Sequence, residues 1–165
     1  MMSKKLAKGL NDQMNNEFNA AHVYLATAAY CSNESFDGFA NFFLAQAEEE
    51  REHAMKFYNF IVDMGEEASI QALPEPNNKF TSILDTFEKS LEHEKEVTKQ
   101  IYKLADMALD EREHATMTFL NWFIDEQVEE EASFDGIIQK IKRIENDSNA
   151  FYMLETELGK RSSES

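Results

Sequence analysis

The sequence predicts an all-α fold, a four-helix bundle with one long crossover between the second and third helices and a short fifth helix near the C-terminal end. Apolar residues recur alternately three and four positions apart through four long segments, which is the spacing by which bundle helices pack. Only 5 glycines and 2 prolines occur in 165 residues, too few for a sandwich of many short strands. Both prolines, Pro74 and Pro76, lie in residues 65–78, which carry no helical repeat and form the predicted crossover.

The ends of the helices have their own sequence signals. Gly65 is expected to terminate the second helix, because glycine readily adopts the left-handed conformation found at helix C-termini. Asp110 and Glu113 form a capping box that is expected to begin the fourth helix. We expect one domain, residues 1–165, with helices over about residues 3–32, 35–64, 79–108, 110–144 and 148–158.

The lengths of the connections predict the topology. Very short turns join the first helix to the second and the third to the fourth, so each pair is antiparallel. A helix of roughly 28 residues is about 42 Å long, and the crossover, residues 65–78, extends over about 46 Å at most. The crossover can therefore run along the whole bundle and start the third helix parallel to the second.

The composition limits the classes of partner. The chain carries 32 acidic and 16 basic residues, a net charge of -16, which repels nucleic acid and anionic membranes and attracts cations. Its one cysteine, Cys31, excludes an intrachain disulfide framework. The sequence contains neither an apolar leader at its start nor a membrane-spanning apolar run, so we expect a cytoplasmic protein.

Polar residues interrupt the middle of each apolar seam. They are Glu17 in the first helix, Glu50 and His53 in the second, Glu94 in the third, and Gln127 and Glu130 in the fourth. An unpaired buried carboxylate is costly, and no lysine or arginine occupies a seam to pair with these groups. A bound cation is the natural compensation, although a hydrogen-bonded network without metal is an alternative.

The interruptions also share one level of the bundle. In an antiparallel hairpin, residues at equal depth have positions that average to the turn, and Glu17 with Glu50 averages to the first turn. Glu94 averages with Gln127 or Glu130 to the second turn. A glutamate from each of two helices, with Glu-x-x-His motifs from the others, is the design of a di-iron carboxylate site, in which Glu50 is expected to bridge two irons.

A repeated string could mislead this assignment. The sequence EREHA occurs at residues 50–54 and again at 111–115, which suggests Glu111 and His114 as a second Glu-x-x-His pair. These residues belong to the end of the bundle, so we expect them on the surface. His22 and His93 lie off the seams and are expected to be solvated.

Three stretches carry a resemblance to a known family. They are residues 11–17 (NDQMNNE), 45–53 (AQAEEEREH) and 120–131 (LNWFIDEQVEEE). In them, and over essentially its whole length, the chain resembles the bacterial non-haem ferritins. The resemblance implies ferroxidase activity, in which O2 or H2O2 oxidises Fe(II), and storage of the Fe(III) product as a mineral. It also implies self-association into a hollow shell of twenty-four subunits.

The resemblance further implies roles for individual residues. A first iron site comprises Glu17, Glu50 and His53, and a second comprises Glu50, Glu94 and Glu130 with Gln127 alongside. Tyr24 hydrogen-bonds near the centre and supplies an electron. A third iron site comprises Glu49, Glu126, Glu129 and Glu130, for which a solvated acidic face is the alternative.

Related classes fit less well. Bacterioferritin-like chains place a haem-ligating methionine directly after the bridging glutamate, where this chain has Arg51, so no haem is expected. Rubrerythrin-like chains need cysteine pairs, and only Cys31 is present. Two other functions stay open, a di-iron oxidase or peroxidase acting on a small organic substrate and a helical binding protein without metal. Assembly size and iron content distinguish them.

The fifth helix bears on assembly. Its apolar residues Phe151, Leu154 and Leu158 share one face, while the four seams of the bundle are already filled. We therefore expect this face to have no packing partner within the chain. The resemblance implies that it meets neighbouring copies in a closed homo-oligomer. The alternative is that the helix folds back on its own bundle and the protein is a monomer or dimer.

Overall fold

The computed structural model describes residues 2–144 and 146–162, and within these ranges the chain forms five helices and no strands. The helices are α1 (Lys4–Asn33), α2 (Asp37–Asp63), α3 (Ile83–Asp110), α4 (His114–Ile144) and α5 (Ser148–Leu158). α1 packs against α2, α3 packs against α4, and α5 packs against α2 and α4. The predicted all-α bundle is confirmed. No helix in the described ranges could cross a membrane.

Both short turns of the bundle use the same backbone geometry. Ser35 between α1 and α2 has φ 64°, and Arg112 between α3 and α4 has φ 55°. In each turn the next amide donates to the carbonyl five residues earlier, at 2.8 Å and 2.9 Å respectively. This left-handed residue ends one helix and reverses the chain within a few residues, which makes each helix pair antiparallel.

Two helix starts differ from the sequence prediction. α3 continues through Asp110, so the expected capping box with Asp110 as cap is wrong. Glu113 acts as the cap instead, because its carboxylate accepts a hydrogen bond from the Thr116 amide at 2.9 Å. α3 begins after Ser82, whose hydroxyl accepts from the Asp85 amide, and not at residue 79. The start of α4 lies later than predicted because the left-handed Arg112 sets the α3–α4 turn.

Buried amide side chains fix the crossover to α1. Asn11 donates to the Glu67 carbonyl at 3.0 Å and accepts from the Ser69 amide at 2.7 Å. Asn15 donates to the Ser69 carbonyl at 2.9 Å and accepts from the Gln71 amide at 2.9 Å. These two side chains satisfy backbone groups that otherwise have no helix or sheet partner. The two asparagine side chains, one helical turn apart, thus pair with the crossover backbone as a neighbouring β-strand would.

The apolar core is divided into two clusters. The cluster near the α1–α2 turn contains fully buried aromatic rings, including Phe39, Phe43, Phe87 and Phe134. The cluster at the opposite end includes Phe57, Ile101, Leu120 and Phe123. Between them lies the layer of polar side chains that interrupts the seams.

α5 packs on its own bundle. Leu154 is buried in the first cluster, and Phe151 and Leu158 pack against the same cluster. Gly38 permits this contact, because a Cβ at Gly38 would lie 2.5 Å from the backbone oxygen of Glu155. The expectation that the apolar face of α5 has no packing partner within the chain is therefore wrong. No sequence pattern indicates that a glycine in the first turn of α2 leaves room for it.

Candidate metal centre

One inner layer of the bundle is polar and buried. α1 and α3 each contribute one residue to it, and α2 and α4 each contribute two. The six residues, each at most 7% exposed, are Glu17, Glu50, His53, Glu94, Gln127 and Glu130. The layer holds four carboxyl groups and one imidazole, and no lysine or arginine is among the buried polar residues of the described chain.

Ligand atoms of this layer meet in two groups. Glu17, Glu50 and His53 offer atoms that lie within 4.8 Å of one another, and so do Glu50, Glu94 and Glu130. Glu50 belongs to both groups, as a carboxylate that bridges two ions must. A set of oxygen atoms with one imidazole nitrogen suits iron in either oxidation state. The structure therefore brings together the residues predicted for the paired sites, and their chemistry fits two neighbouring iron ions.

Glutamine side chains orient the carboxylates of the layer. Gln46 Nε2 donates to Glu50 Oε1 and to Glu130 Oε2, each at 3.0 Å. Gln127 Nε2 donates to Glu94 Oε2 at 3.0 Å. Because an amide carries no charge, it fixes a carboxylate without neutralising it. The negative charge therefore stays available to a cation.

His53 supplies positive charge to the metal-free layer. Its Nδ1 lies 3.1 Å from Glu50 Oε2. Burial alone would lower the pKa of His53, but the hydrogen bond to Glu50 and the charge of Glu50 raise it to about 9. Burial would raise the pKa of Glu50, yet the hydrogen bond and charge of His53 hold it below its usual value. At neutral pH the two side chains form a buried ion pair that a metal would replace.

Burial raises the pKa of each of the other carboxyl groups. Burial and then the charge of Glu50 raise the pKa of Glu17 well above its usual value. Burial, Glu50 and Glu130 do the same to the pKa of Glu94. Burial and the charge of Glu50 raise the pKa of Glu130 to about 7. Glu17 Oε2 is also buried without a hydrogen-bond partner. A cation that binds these groups would have to displace any protons they carry.

Tyr24 lies directly beside the layer. Its hydroxyl donates to Glu94 Oε1 at 2.6 Å, and its side chain is fully buried. Its ring stacks with the rings of Phe43 and Phe134, at centroid distances of 6.2 Å and 5.9 Å. Burial and then the charge of Glu94 raise the pKa of the phenol well above its usual value. The phenol therefore keeps its proton in the metal-free protein and holds Glu94 in place.

The residues predicted for the third site lie around a cavity on one side of the layer. This cavity of about 570 Å³ is lined by Glu49, Glu126, Glu129 and Glu130, and also by Arg161. Glu49 and Glu126 are half-buried and Glu129 is exposed. In the described chain only the two paired groups bring three ligands within 4.8 Å, so these residues do not meet as closely.

The two copies of the EREHA string lie in different environments. Glu111 and His114 are exposed at the end of the bundle, as expected, and Glu111 accepts a hydrogen bond from the Ser3 hydroxyl. His22 is exposed as well. His93 differs from the expectation, because its ring is half-buried against the edge of Tyr24 and its Nε2 is buried without a hydrogen-bond partner. Its position one residue before Glu94 turns it partly toward the core.

Sequence reasoning overlooked the amides that support the site. Gln13 donates to Glu17 at 3.3 Å, and Gln46 donates to Glu50 at 3.0 Å. In both helices the glutamine precedes the glutamate by four residues, which places the two side chains on one face. The recurrence of this spacing in α1 and α2 is a signal that could have identified both.

Comparisons with known proteins agree with this architecture. Residues 7–144 match the ferritin-like domain family. A bacterial non-heme ferritin of Staphylococcus aureus is 54% identical over 161 residues, covering 98% of this chain and 97% of the relative. Another, of Staphylococcus saprophyticus, is 51% identical over 162 residues, with 98% and 97% covered.

Solved structures give the same result. An open pore ferritin from the archaeon Archaeoglobus fulgidus is 40% identical with a TM-score of 0.97, covering 98% of this chain and all of that one. A form of Archaeoglobus fulgidus ferritin engineered to be closed has a TM-score of 0.97 at 39% identity, with 99% of this chain covered. By sequence and by structure, the chain belongs to the ferritin family and groups there with the bacterial non-haem ferritins.

Proposed function

We propose that this protein stores iron and has ferroxidase activity at the paired centre. The observation that carries the proposal is the meeting of two three-ligand groups that share Glu50. Fe(II) is the substrate, and it binds with Glu17, Glu50 and His53 in one position and with Glu50, Glu94 and Glu130 in the other. Two Fe(II) ions supply two electrons, which with two protons reduce O2 to H2O2 or reduce H2O2 to two waters.

The protein's own residues prepare this reaction. Iron displaces the proton of His53, whose pKa is about 9, and any proton carried by Glu17, Glu94 or Glu130, because each must bind the ion as a deprotonated ligand. Gln46 and Gln127 hold the carboxylates in position. The layer is at most 7% exposed, which suits an ion and a diatomic oxidant and disfavours a bulky organic substrate.

We also propose that Tyr24 supplies an electron during oxidation. Its hydroxyl contacts the Glu94 carboxylate directly, so the phenol is one hydrogen bond away from a ligand of the second iron. Burial against two aromatic rings limits access of solvent to the ring. Freeze-quenched samples of the wild type and Tyr24→Phe test this role. A tyrosyl radical signal of equal size in both proteins would contradict it.

A third iron site at Glu49, Glu126, Glu129 and Glu130 is part of the proposal. These residues line one cavity, and burial followed by the charges of Glu129 and Glu49 raises the pKa of Glu126. Glu49→Gln combined with Glu126→Gln should change the ratio of iron oxidised to oxygen consumed and leave fast oxidation at the paired centre. An unchanged ratio would reduce these residues to a charged face.

Storage requires an interior, so we propose a closed homo-oligomer of twenty-four chains in the cytoplasm. Exposed apolar side chains on α1, α2 and the crossover support self-association, because they line a groove of about 520 Å³ and are each at least 38% exposed. They are Leu25, Leu44, Ile70 and Leu73. This groove replaces the face of α5 as the surface expected to meet another copy.

Sedimentation of the purified protein with iron analysis tests storage directly. We expect an assembly of several hundred kilodaltons, given a chain of 19.1 kDa, that retains ferric iron after gel filtration. A monomer or dimer that binds iron and turns over an organic substrate would instead support the oxidase or peroxidase function. A protein that binds no iron would support neither.

A further inference from the structure

We propose that Arg161 is a built-in competitor for the third cation, so that an ion entering the acidic cavity beside the paired centre must displace the Arg161 side chain. The proposal rests on the proposed function, because it concerns the same cavity. It assigns to the C-terminal segment a role in setting the affinity of this one site.

The position of the guanidinium is the first observation. Arg161 Nη2 donates to Glu49 Oε2 at 2.6 Å, inside the cavity that Glu126, Glu129 and Glu130 also line. The two side chains are 23% and 13% exposed, so this ion pair is shielded much better than a pair at the surface. A fixed cation therefore lies where the carboxylates would hold a metal.

A second contact holds the guanidinium there. It stacks on the ring of Phe42, 4.5 Å from the centroid, which adds a cation–π interaction in a partly desolvated place. Its charge also reaches the paired centre, since Arg161 acts to lower the pKa of Glu130.

The backbone at Arg161 is anchored independently of the side chain. Asn41 Nδ2 donates to the Gly159 carbonyl at 2.6 Å and to the Arg161 carbonyl at 3.0 Å. The Gly38 amide donates to Glu155 Oε2 at 3.0 Å and fixes the preceding helix. Displacement of the guanidinium therefore requires rotation of one side chain and leaves α5 docked, so the ion pair can open without unfolding the segment.

The arrangement lowers the apparent affinity of the third site. A site that is open in only a fraction of the molecules binds its ligand more weakly by that fraction. Because its ion pair is partly buried and its guanidinium stacks on a ring, Arg161 should occupy the cavity in roughly ten molecules for each one in which the site is open. Ions would thus fill the paired centre first and reach the third position only at higher concentration.

Isothermal titration of the metal-free, full-length protein with Zn²⁺ tests the proposal without any redox step. Arg161→Gln removes the competing charge, and Lys160→Gln is the matched control, because Lys160 is the exposed neighbour and carries the same charge. We expect a third Zn²⁺ per chain to bind roughly tenfold more tightly to Arg161→Gln than to the wild type or to Lys160→Gln. The two tighter ions should bind alike in all three proteins.

A double variant links the gain to the cavity. Adding Glu49→Gln to Arg161→Gln should abolish the gain, because the carboxylate with which Arg161 pairs is then gone. Equal third-ion affinity in the wild type and Arg161→Gln would overturn the proposal, and so would a gain that persists in the double variant. Loss of the two tighter ions from every protein would instead refute the paired centre, and the comparison at the weaker site would still decide the role of Arg161.

Discussion

The most direct test of the buried charge is the substitution Glu130→Gln in the metal-free protein. Glutamine has nearly the same shape as glutamate, and its oxygen can accept the hydrogen bond that Gln46 donates to Glu130 at 3.0 Å. The substitution therefore removes an ionisable group and leaves the packing of α4 in place. We expect Glu130→Gln to be more stable than the wild type at neutral pH, although a proposed ligand is lost.

The size of the effect follows from the pKa of Glu130. The native fold raises this pKa from 4.5 to about 7, so the folded protein binds the proton more tightly than the unfolded chain does. Below pH 4.5 Glu130 is protonated in both the folded and the unfolded chain, so it no longer lowers the free energy of unfolding. As the pH rises toward 7, the unfolded chain ionises first, and the wild type loses about 3 kcal/mol. Glutamine does not titrate, so Glu130→Gln avoids this loss.

Thermal unfolding at pH 4.5 and at pH 7.5, with chelator and equal chain concentrations, measures the difference. For a chain of this size, about 3 kcal/mol corresponds to a rise in Tm of roughly 6–12 °C at the higher pH. Asp125→Asn is the matched control, because Asp125 is an exposed carboxylate on the same helix. Adding Zn²⁺ should reverse the order, because only the wild type keeps all ligands of the second position.

Two results would refute this reasoning. If Glu130→Gln and the wild type melt together at pH 7.5, the native fold does not hold Glu130 in a costly environment. If the variant is stabilised equally at both pH values, the gain comes from packing and not from charge. Stabilisation of Asp125→Asn by a similar amount would show that the gain is not specific to the buried carboxyl group.

Three further predictions concern the layer and the fifth helix. Zn²⁺ binding at pH 7 should release protons, including that of His53, whose pKa is about 9, and should tighten as pH rises. A binding heat independent of the ionisation enthalpy of the buffer would contradict this. Tyr24→Phe should lower the free energy of unfolding by about 1–3 kcal/mol, because a buried Glu94 oxygen loses its hydrogen-bond donor. Unchanged thermal stability would contradict this prediction. Gly38→Ala should lower the free energy of unfolding by about 1–3 kcal/mol, because the added methyl displaces α5. Gly136→Ala, whose methyl would meet nothing within 4 Å, should raise the free energy of unfolding by about 0.5–1 kcal/mol. Equal melting temperatures of the two variants would refute the steric argument.

The polar layer was predictable because ionisable residues are unusual at the positions of an apolar seam. A glutamate in an apolar seam violates the pattern around it, and the violations in four helices share one depth. Glu17 and Glu94 could therefore be matched across helices that are far apart in sequence. The topology followed from chain lengths, since a short connection forces antiparallel packing and the crossover can span a bundle.

The parts that sequence missed depend on backbone geometry and close approach. Arg112 adopts a left-handed conformation that its side chain does not favour, so the fourth helix starts later than its capping signal suggests. The docking of α5 depends on the missing side chain of Gly38, which looks like any other glycine in the sequence. Arg161 lies in a polar tail segment, and only the folded path of that segment brings it to Glu49.

The division of the apolar core into two clusters has a consequence for how the protein unfolds. Helices run continuously past the polar layer, but apolar packing stops there, so cooperativity between the two ends is carried mainly by backbone and by the layer itself. We therefore expect the two ends of the metal-free protein to open at different free energies. Bound ions would tie α1, α2, α3 and α4 together at their midpoint, so that amide exchange at the two ends slows and becomes concerted as iron is loaded.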